Sequence, residues 1–216
     1  MYFAPVQLSN LNDLIAHLRE QIESRDLIIA GVCGLAGAGK TTLCKTLASN
    51  FPAHTLHLEC DRFSQFSFVE REKRIEEQRR LAPVNSEENP LNWYAWEAIG
   101  RSLAALRDQG CFTYERAWNN CTGELDGKYS LQRTQDASTL VLCDGIYLLH
   151  EPVRDWLDMS ILVDTPEAIR RARGKARTTD VDRRDCMERL ERIYVIPYFE
   201  TNIASADIIY RVADPA

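Results

Sequence analysis

Hydrophobic positions along the chain alternate between amphipathic segments and short runs that are apolar at every position. Apolar residues three or four positions apart predict an amphipathic helix over residues 10–24, and these are Leu11, Leu14, Ile15, Leu18 and Ile22. The next segment, LIIAGVC at residues 27–33, predicts a strand that is buried on both faces. A second helix is predicted from about residue 40 to residue 50, and Pro52 ends it.

Later segments continue this alternation. Further strands are predicted at apolar runs, over residues 54–60, 111–117, 139–145, 159–164 and 206–212. Further helices are predicted over residues 69–81, 93–109, 166–176 and 182–195. Turn-forming residues predict a loop at 82–90 and a hairpin tip at 119–128. The alternation predicts a three-layer α/β fold with a mainly parallel β-sheet flanked by helices, and residues 1–216 are expected to form a single domain.

The predicted helix at 69–81 is densely charged. Glu70 precedes Arg74 by four residues and Glu76 precedes Arg80 by four, which is the favourable order for ion pairs along a helix. This pattern favours a solvated helix. A mobile cover over a binding site is the alternative, and the sequence leaves both open.

Composition and charge exclude some classes of function. The formal net charge of −6 does not favour a broad nucleic-acid surface. The longest nearly apolar run, residues 27–39, is too short and too rich in glycine to span a bilayer, and no leader pattern opens the chain. The seven cysteines are scattered and never spaced C-x-x-C, which predicts reduced thiols packed in the core. We therefore expect a cytoplasmic protein with no nucleic-acid or membrane partner.

The segment GLAGAGKTT follows the first long predicted strand and precedes a predicted helix. Its Gly-x-x-x-x-Gly-Lys-Thr spacing in that context is typical of a phosphate-binding loop (P-loop). Backbone N–H groups of such a loop turn inward around phosphate oxygens, and the helix adds its positive end. Lys40 is expected to reach the β- and γ-phosphates, and the Thr41 hydroxyl to bind Mg²⁺. The residues predicted here to bind the phosphates of ATP or GTP are Gly34, Gly37, Ala38, Gly39, Lys40, Thr41 and Thr42.

Three aspartates follow predicted strands directly. Ligands of open parallel sheets gather at the carboxyl ends of strands, so Asp61, Asp144 and Asp164 are candidate site residues. Asp61 could accept the proton of an attacking hydroxyl. Asp144 resembles the acidic residue that holds the Mg²⁺ shell in other P-loop proteins. Asp164 is expected to be structural, as the N-cap of the helix that follows.

Arginines cluster in IRRARGKAR. Arg170, Arg173 and Arg177 fall on one helical face, with Arg171 beside them. Guanidinium groups could neutralise the charge that spreads over a transferring phosphoryl group. A solvated basic face is the alternative, and the residues alone leave both open.

From residue 28 to residue 210 the sequence resembles the uridine kinase and phosphoribulokinase family of small-molecule kinases. The resemblance rests on consecutive segments: GLAGAGKTT, LECDRF, NPLNWYAWE, TYERA, LVLCDGIYLL, ILVDTPEAIRRARGKAR and YVIPYFETNIASADIIY. The last segment is the most specific, because many families share a P-loop. The resemblance implies a P-loop NTPase fold with an arginine-rich lid over about residues 166–182.

The resemblance also implies roles for residues that bind ATP. Asp144 would bind Mg²⁺ together with Thr41, and Arg170 and Arg177 would contact the phosphates from the lid. Arg173 would act in catalysis alongside Lys40 and Asp61. The implied cofactor is Mg²⁺, with ATP as phosphoryl donor.

On the acceptor side the resemblance is weaker. It implies that Asp61 is the general base and that Tyr114 and Arg116 contact the acceptor. Uridine kinases carry Tyr-x-x-x-x-His-x-Arg where this chain has YERAWNNCTG, and Asp-x-Phe-Tyr where it has DRFS. The lid segment reads RTTDVDRRD in place of the family's arginine pattern. The acceptor thus stays open among a nucleoside such as uridine, a sugar, and a pantothenate- or glycerate-like molecule.

The resulting prediction is an ATP-dependent kinase of a small hydroxyl compound, a phosphotransferase similar to uridine kinase. Its expected partners are ATP and the acceptor, and the sequence is compatible with a homo-oligomer. One alternative is a nucleotide-binding regulator or a GTPase-type chaperone, although the chain has no Asn-Lys-x-Asp element. Another alternative is a degenerate relative that binds ATP without efficient turnover.

Overall fold

The computed structural model describes residues 4–51, 55–82, 84–134, 138–177 and 180–212. Its strands are β1 (Val6–Leu8), β2 (Leu27–Cys33), β3 (Thr55–Glu59), β4 (Cys111–Ala117), β5 (Gly127–Gln132), β6 (Thr139–Asp144), β7 (Met159–Asp164) and β8 (Ile208–Arg211). Its α-helices are α1 (Leu11–Glu23), α2 (Lys40–Asn50), α3 (Phe68–Arg79), α4 (Trp96–Asp108), α5 (Glu167–Arg177), α6 (Val181–Leu190) and α7 (Ile196–Asn202).

Six strands form one sheet in the order β1-β8-β7-β2-β6-β3. The neighbours β1–β8, β8–β7, β7–β2 and β2–β6 run parallel. This arrangement confirms the predicted α/β fold with a mainly parallel sheet. Val32 pairs with Asp144, and Cys33 pairs with Leu162. The carboxyl ends of β2, β6 and β7 therefore meet at one edge, where ligands of such sheets bind.

The chain divides into two compact units. The first contains residues up to Leu58 and from Thr134 onward, and the second contains Glu59–Arg133. In the first unit, α1 and α2 pack on one face of the sheet, with fully buried Leu14, Leu18, Leu47, Ile28, Leu140 and Ile161 in one cluster. This burial explains the amphipathic pattern of residues 10–24.

The second unit contains α3, α4 and an antiparallel hairpin of β4 with β5. The hairpin tip over residues 119–128 is confirmed, but β4 pairs only with β5 among the described strands and does not join the parallel sheet. Phe63 is fully buried and stacks on Tyr114, with ring centroids 4.7 Å apart. Phe112 and Tyr129 close around Phe63, so an aromatic cluster forms the core at the hairpin.

The charged helix at 69–81 is confirmed as α3, but one of its two predicted ion pairs is wrong. The carboxylate of Glu70 accepts from the backbone N–H of Ser67 at 2.8 Å and so forms a capping box. Arg74 instead donates to Glu87 at 2.8 Å. The second predicted pair, Glu76 with Arg80, is present at 2.9 Å. The cap outcompetes the side-chain pair because it satisfies a backbone donor that the helix itself leaves open.

Near the carboxyl end the predicted single helix is divided into shorter helical segments. The helix expected over 182–195 ends at Leu190, a π-helical turn spans Glu191–Val195, and α7 follows with Pro197 in its first turn. Proline is tolerated there because the first N–H groups of a helix have no intrahelical partner. Strand β1 was not predicted, since three residues are too few for a periodic pattern.

Cysteine burial follows the prediction in part. Cys33, Cys44, Cys60 and Cys143 are buried, whereas Cys111, Cys121 and Cys186 are exposed. The core interpretation is therefore wrong for the last three. Over the described ranges, no helix has both the length and the apolarity needed to cross a bilayer.

Ile29→Val should lower the free energy of unfolding by about 1 kcal/mol, because it removes one methylene from a fully buried position of β2. Chemical denaturation measures this. The matched control is Val6→Ala, since Val6 on β1 is 46% exposed and its truncation should cost less than about 0.5 kcal/mol. Equal effects of the two changes would contradict the packing described for the central strand.

Candidate active site

The P-loop leaves the end of β2 and closes on the first turn of α2. Gly37 has φ +77°, and a Cβ on it would lie 2.8 Å from the carbonyl oxygen of Arg170. Gly34 leaves equally little room, because its Cβ would lie 2.7 Å from the carbonyl oxygen of Val163. Glycine is therefore required at both positions by close backbone approach as well as by conformation. The loop is held between β7 and α5, which fixes its shape.

Lys40 is the first residue of α2 and bends back over the loop. Its ammonium group donates to the carbonyl oxygens of Gly34 at 3.0 Å and Leu35 at 3.3 Å. The charge of Lys40 therefore lies against the loop backbone at the positive end of the helix. An anion bound by the loop would meet both the lysine and the helix N-terminus.

Thr41 and Asp144 meet across the edge of the sheet. The Thr41 hydroxyl donates to Oδ2 of Asp144 at 2.6 Å, and Nε2 of His57 on β3 lies 3.4 Å from the same oxygen. Burial tends to raise the pKa of Asp144, but the nearby imidazole of His57, the hydrogen bond from Thr41 and the charge of Lys40 outweigh it and hold that pKa below its usual value. Asp144 is thus a carboxylate at neutral pH.

The donor set fits Mg²⁺. The hydroxyl of Thr41 and the carboxylate of Asp144 are the hard oxygen ligands that this cation prefers. Cys44 also lies near, since one ligand atom from each of Cys44, His57 and Asp144 falls within 4.8 Å of the others. Burial raises the pKa of the Cys44 thiol well above its usual value, so it stays protonated and is not a ligand for a hard cation.

Two arginines of α5 donate hydrogen bonds to backbone carbonyl groups of the P-loop. Arg173 donates to the carbonyl oxygens of Gly37 at 3.0 Å and Ala38 at 3.2 Å. Arg170 is only 7% exposed and donates to Glu191 at 2.8 Å and to the carbonyl oxygen of Ala36 at 3.4 Å. The alternative of a solvated basic face is therefore wrong for Arg170 and Arg173, because both side chains pack on the loop.

The other arginines of this helix differ. Arg171 is exposed and pairs with Glu167 and Glu188. Arg177 ends α5, and its side chain lies outside the described residues. Asp164 ends β7 and lies 3.7 Å from Arg211. Its expected role as a helix N-cap is wrong, because α5 begins three residues later, at Glu167.

Asp61 belongs to the second unit. It lies in a short 3₁₀ turn, Cys60–Arg62, directly after β3, and it is exposed. Its Oδ1 accepts a hydrogen bond from the hydroxyl of Tyr94 at 3.0 Å. The ring of Tyr94 lies 5.0 Å from that of Trp96. The carboxylate is therefore oriented by an anchored phenol and remains open to solvent.

Comparison of the sequence with known protein families gives a match. The family model described as Phosphoribulokinase / Uridine kinase family matches residues 28–206. The chain belongs to this family. Its members are P-loop kinases of small molecules, which generally use ATP with Mg²⁺.

Individual relatives of this kinase are distant. A nicotinamide riboside kinase from Saccharomyces cerevisiae is 24% identical over 173 residues, which cover 71% of this chain and 67% of that protein. The structure of a possible uridine kinase from Bacillus stearothermophilus is 17% identical, with a TM-score of 0.62 over 93% of this chain and 98% of that one. Phosphoribulokinase from Rhodobacter spheroides is 13% identical, with a TM-score of 0.59 over 86% and 70%. The two structural likenesses show the fold alone.

Other predicted residues of the kinase lie in the second unit. Tyr114 stacks on Phe63 in the aromatic core, and burial raises its pKa above the usual value. Arg116 is exposed two residues further along β4. Contact of Tyr114 and Arg116 with the acceptor therefore stays a prediction.

Sequence reasoning missed two polar partners of the predicted carboxylates. His57 approaches Asp144, and Tyr94 binds Asp61 across 33 positions of the chain. The segment NPLNWYAWE carried part of the family resemblance, but nothing in its spacing singles out Tyr94. Both pairings arise from tertiary structure, so no local pattern indicates them.

Proposed function

We propose that this protein is an ATP- and Mg²⁺-dependent kinase that transfers the γ-phosphoryl group to a hydroxyl of a small molecule, either a nucleoside such as uridine or a sugar or vitamin precursor. The observation that carries the proposal is the Thr41–Asp144 hydrogen bond of 2.6 Å beside Lys40 and the P-loop. This arrangement brings two oxygen ligands, the hydroxyl of Thr41 and the carboxylate of Asp144, to the same edge of the sheet as the ammonium group of Lys40. Family membership over residues 28–206 supports the same reaction class.

In this proposal the first unit holds the donor. The loop N–H groups of Gly34–Thr42 bind the phosphates, and Lys40 neutralises the β- and γ-oxygens. Thr41 and Asp144 would hold Mg²⁺, which would offset the negative charge of the phosphates. Arg173 and Arg170 keep the loop in shape, and Arg173 adds positive charge next to it.

The proposed chemistry on the acceptor side uses Asp61. The acceptor oxygen attacks the γ-phosphorus, the bond from that phosphorus to the β–γ bridging oxygen breaks, and ADP leaves. Asp61 takes the proton of the attacking hydroxyl. Tyr94 orients the carboxylate through its hydrogen bond. We propose Tyr114 and Arg116 as acceptor contacts, and residues 166–182 as a lid that excludes water during transfer.

A screen for acceptor-dependent ADP formation tests this function. The purified chain is given MgATP with single nucleosides, including uridine and nicotinamide riboside, or with sugars, pantothenate and glycerate. At least one acceptor should raise the rate of ADP formation far above the rate without acceptor. Tight ATP binding with no response to any acceptor would instead support the degenerate relative. Preference for GTP with slow, acceptor-independent hydrolysis would support the regulator.

Thr41→Val should raise the Mg²⁺ concentration needed for half-maximal activity by about tenfold, because the hydroxyl that accompanies Asp144 is lost. Kinase assays over a Mg²⁺ series at fixed ATP measure this. Thr46→Val on the same helix is the matched control, since the Thr46 hydroxyl donates to the carbonyl oxygen of Thr42 within the helix. An unchanged Mg²⁺ requirement in Thr41→Val would exclude Thr41 as a ligand.

A further inference from the structure

Arg71 of α3 lies between two indole rings. The carbon at the centre of its guanidinium group is 4.6 Å from the ring centroid of Trp93 and 5.0 Å from that of Trp118. Both distances are within the range of cation–π contact, and such stacking leaves the N–H edge of the planar group free to donate. We call Arg71, Trp93 and Trp118 the arginine clamp.

Both walls of the arginine clamp are fixed by hydrogen bonds. Nε1 of Trp93 donates to the carbonyl oxygen of Glu87 at 2.8 Å, and its own carbonyl accepts from the backbone N–H of Gln65 at 2.7 Å. The backbone N–H of Trp118 donates to the carbonyl oxygen of Arg62 at 2.8 Å. The guanidinium group therefore sits in a pre-organised slot, with little rotamer freedom left to lose on binding.

Among the described residues, Arg71 has no carboxylate partner of the kind that its neighbours have. On the same helix Arg74 pairs with Glu87 and Arg79 with Glu88, and Arg80 at its C-cap pairs with Glu76. Across the described part of the chain, no ion pair or side-chain hydrogen bond engages the guanidinium of Arg71. Burial lowers the pKa of Arg71, while the charges of Glu72 and Tyr94 act in the opposite direction. A half-buried cation without a counter-ion is costly unless a ligand supplies one.

The arginine clamp is tied to the candidate base. Trp93 is followed directly by Tyr94, whose hydroxyl bonds to Asp61 at 3.0 Å. Trp118 is bonded to the carbonyl of Arg62, the residue directly after Asp61. Two short connections therefore link the clamp to the carboxylate, both within the second unit. A group bound at Arg71 would therefore lie in the same unit as the carboxylate of Asp61.

We propose that Arg71 binds an anionic group of the acceptor, a carboxylate or a phosphate, at a distance from the hydroxyl that is phosphorylated. The inference rests on the proposed function and narrows its acceptor to acidic compounds. The planar guanidinium fork matches both anions in bidentate geometry. Arg116 is a second, exposed cation of the same unit and precedes Trp118 by two residues. A neutral nucleoside would leave the clamped cation without a counter-ion.

Binding of matched acceptor pairs tests the inference without requiring turnover. The full chain is saturated with MgADP, so that the P-loop is occupied, and titrated with pantothenate against pantothenol, glycerate against glycerol, and ribose 5-phosphate against ribose. Tryptophan fluorescence is the readout, because two of the four tryptophans form the clamp. The first two pairs test whether the bound anion is a carboxylate, and the third pair tests whether it is a phosphate.

The acidic member of at least one pair should bind about tenfold or more tightly than its neutral partner. Arg71→Met keeps the aliphatic packing between the indoles and should abolish this preference, while MgADP affinity stays within about twofold. Arg80→Met, at the C-cap of the same helix, is the matched control and should retain the preference. Arg71→Lys should restore only part of it, since the bidentate fork is lost.

An unchanged acidic preference in Arg71→Met would overturn the inference, as would equal binding of acidic and neutral members by the unaltered protein. Absence of binding by every acidic compound, in protein that binds MgADP, would also overturn it. Failure to bind MgADP would instead contradict the proposed function. The two failures are therefore distinguishable.

Discussion

Asp61→Asn should lower kcat by about 10³-fold while leaving the affinity for MgATP nearly unchanged. An amide has almost the shape of the carboxylate but cannot accept the proton of the acceptor hydroxyl. The hydrogen bond from Tyr94 to Oδ1 shows that this carboxylate is held by a neighbouring residue, so the amide should adopt a similar position. Because the residue lies outside the P-loop unit, nucleotide binding should not depend on it.

Steady-state rates with the identified acceptor, together with calorimetric ATP titration, measure this effect. Asp108→Asn at the end of α4 is a matched control in the same unit, and it should keep full activity. Asp61 would not be the base if turnover of Asp61→Asn stayed within a few-fold of the unaltered rate.

Lys40→Met should lower kcat by about 10²- to 10³-fold and also weaken ATP binding. The ammonium group already lies over the loop, held by the carbonyl oxygens of Gly34 and Leu35. Charge on the transferring phosphoryl group and the β-phosphate rises during the reaction, so the loss should be larger in the transition state than in binding. Methionine keeps most of the length of the side chain and removes the charge together with the N–H donors.

Rates and ATP affinity measured on the same preparation separate the two effects. Lys45→Met on the exposed face of α2 is the matched control and should change neither. Equal losses in ATP affinity and in kcat/KM, with kcat unchanged, would mean that Lys40 serves binding alone.

The donor side of the proposed site could be predicted from the sequence because the residues of its phosphate-binding loop are contiguous. The spacing from Gly34 to Thr41 specifies a loop whose work is done by backbone groups, and the flanking β2 and α2 are strongly patterned. Asp144 was found by the same logic, since it ends a uniformly apolar strand. The parallel register that brings it to Thr41 follows from the fold class.

The parts that were not predicted depend on contacts distant in sequence. The arginine clamp needs Trp93 and Trp118 on opposite sides of Arg71, and no local spacing indicates that arrangement. The pattern over residues 69–81 predicts a solvated helix with ion pairs or a mobile cover over a site, and neither interpretation gives Arg71 a distinct role. Arg170 and Arg173 show the same limit, because a basic helical face gives no sign that it will pack against a glycine loop.

Transfer of label from γ-labelled ATP tests the central claim most directly. The chain is incubated with Mg²⁺, labelled ATP and the acceptor that gives the highest rate of ADP formation. A kinase of this family should place nearly all released label on the acceptor, and Asp61→Asn and Lys40→Met should each lower the rate of that transfer by at least about 10²-fold. Release of the label as inorganic phosphate, at the same rate with and without acceptor, would contradict the proposed function.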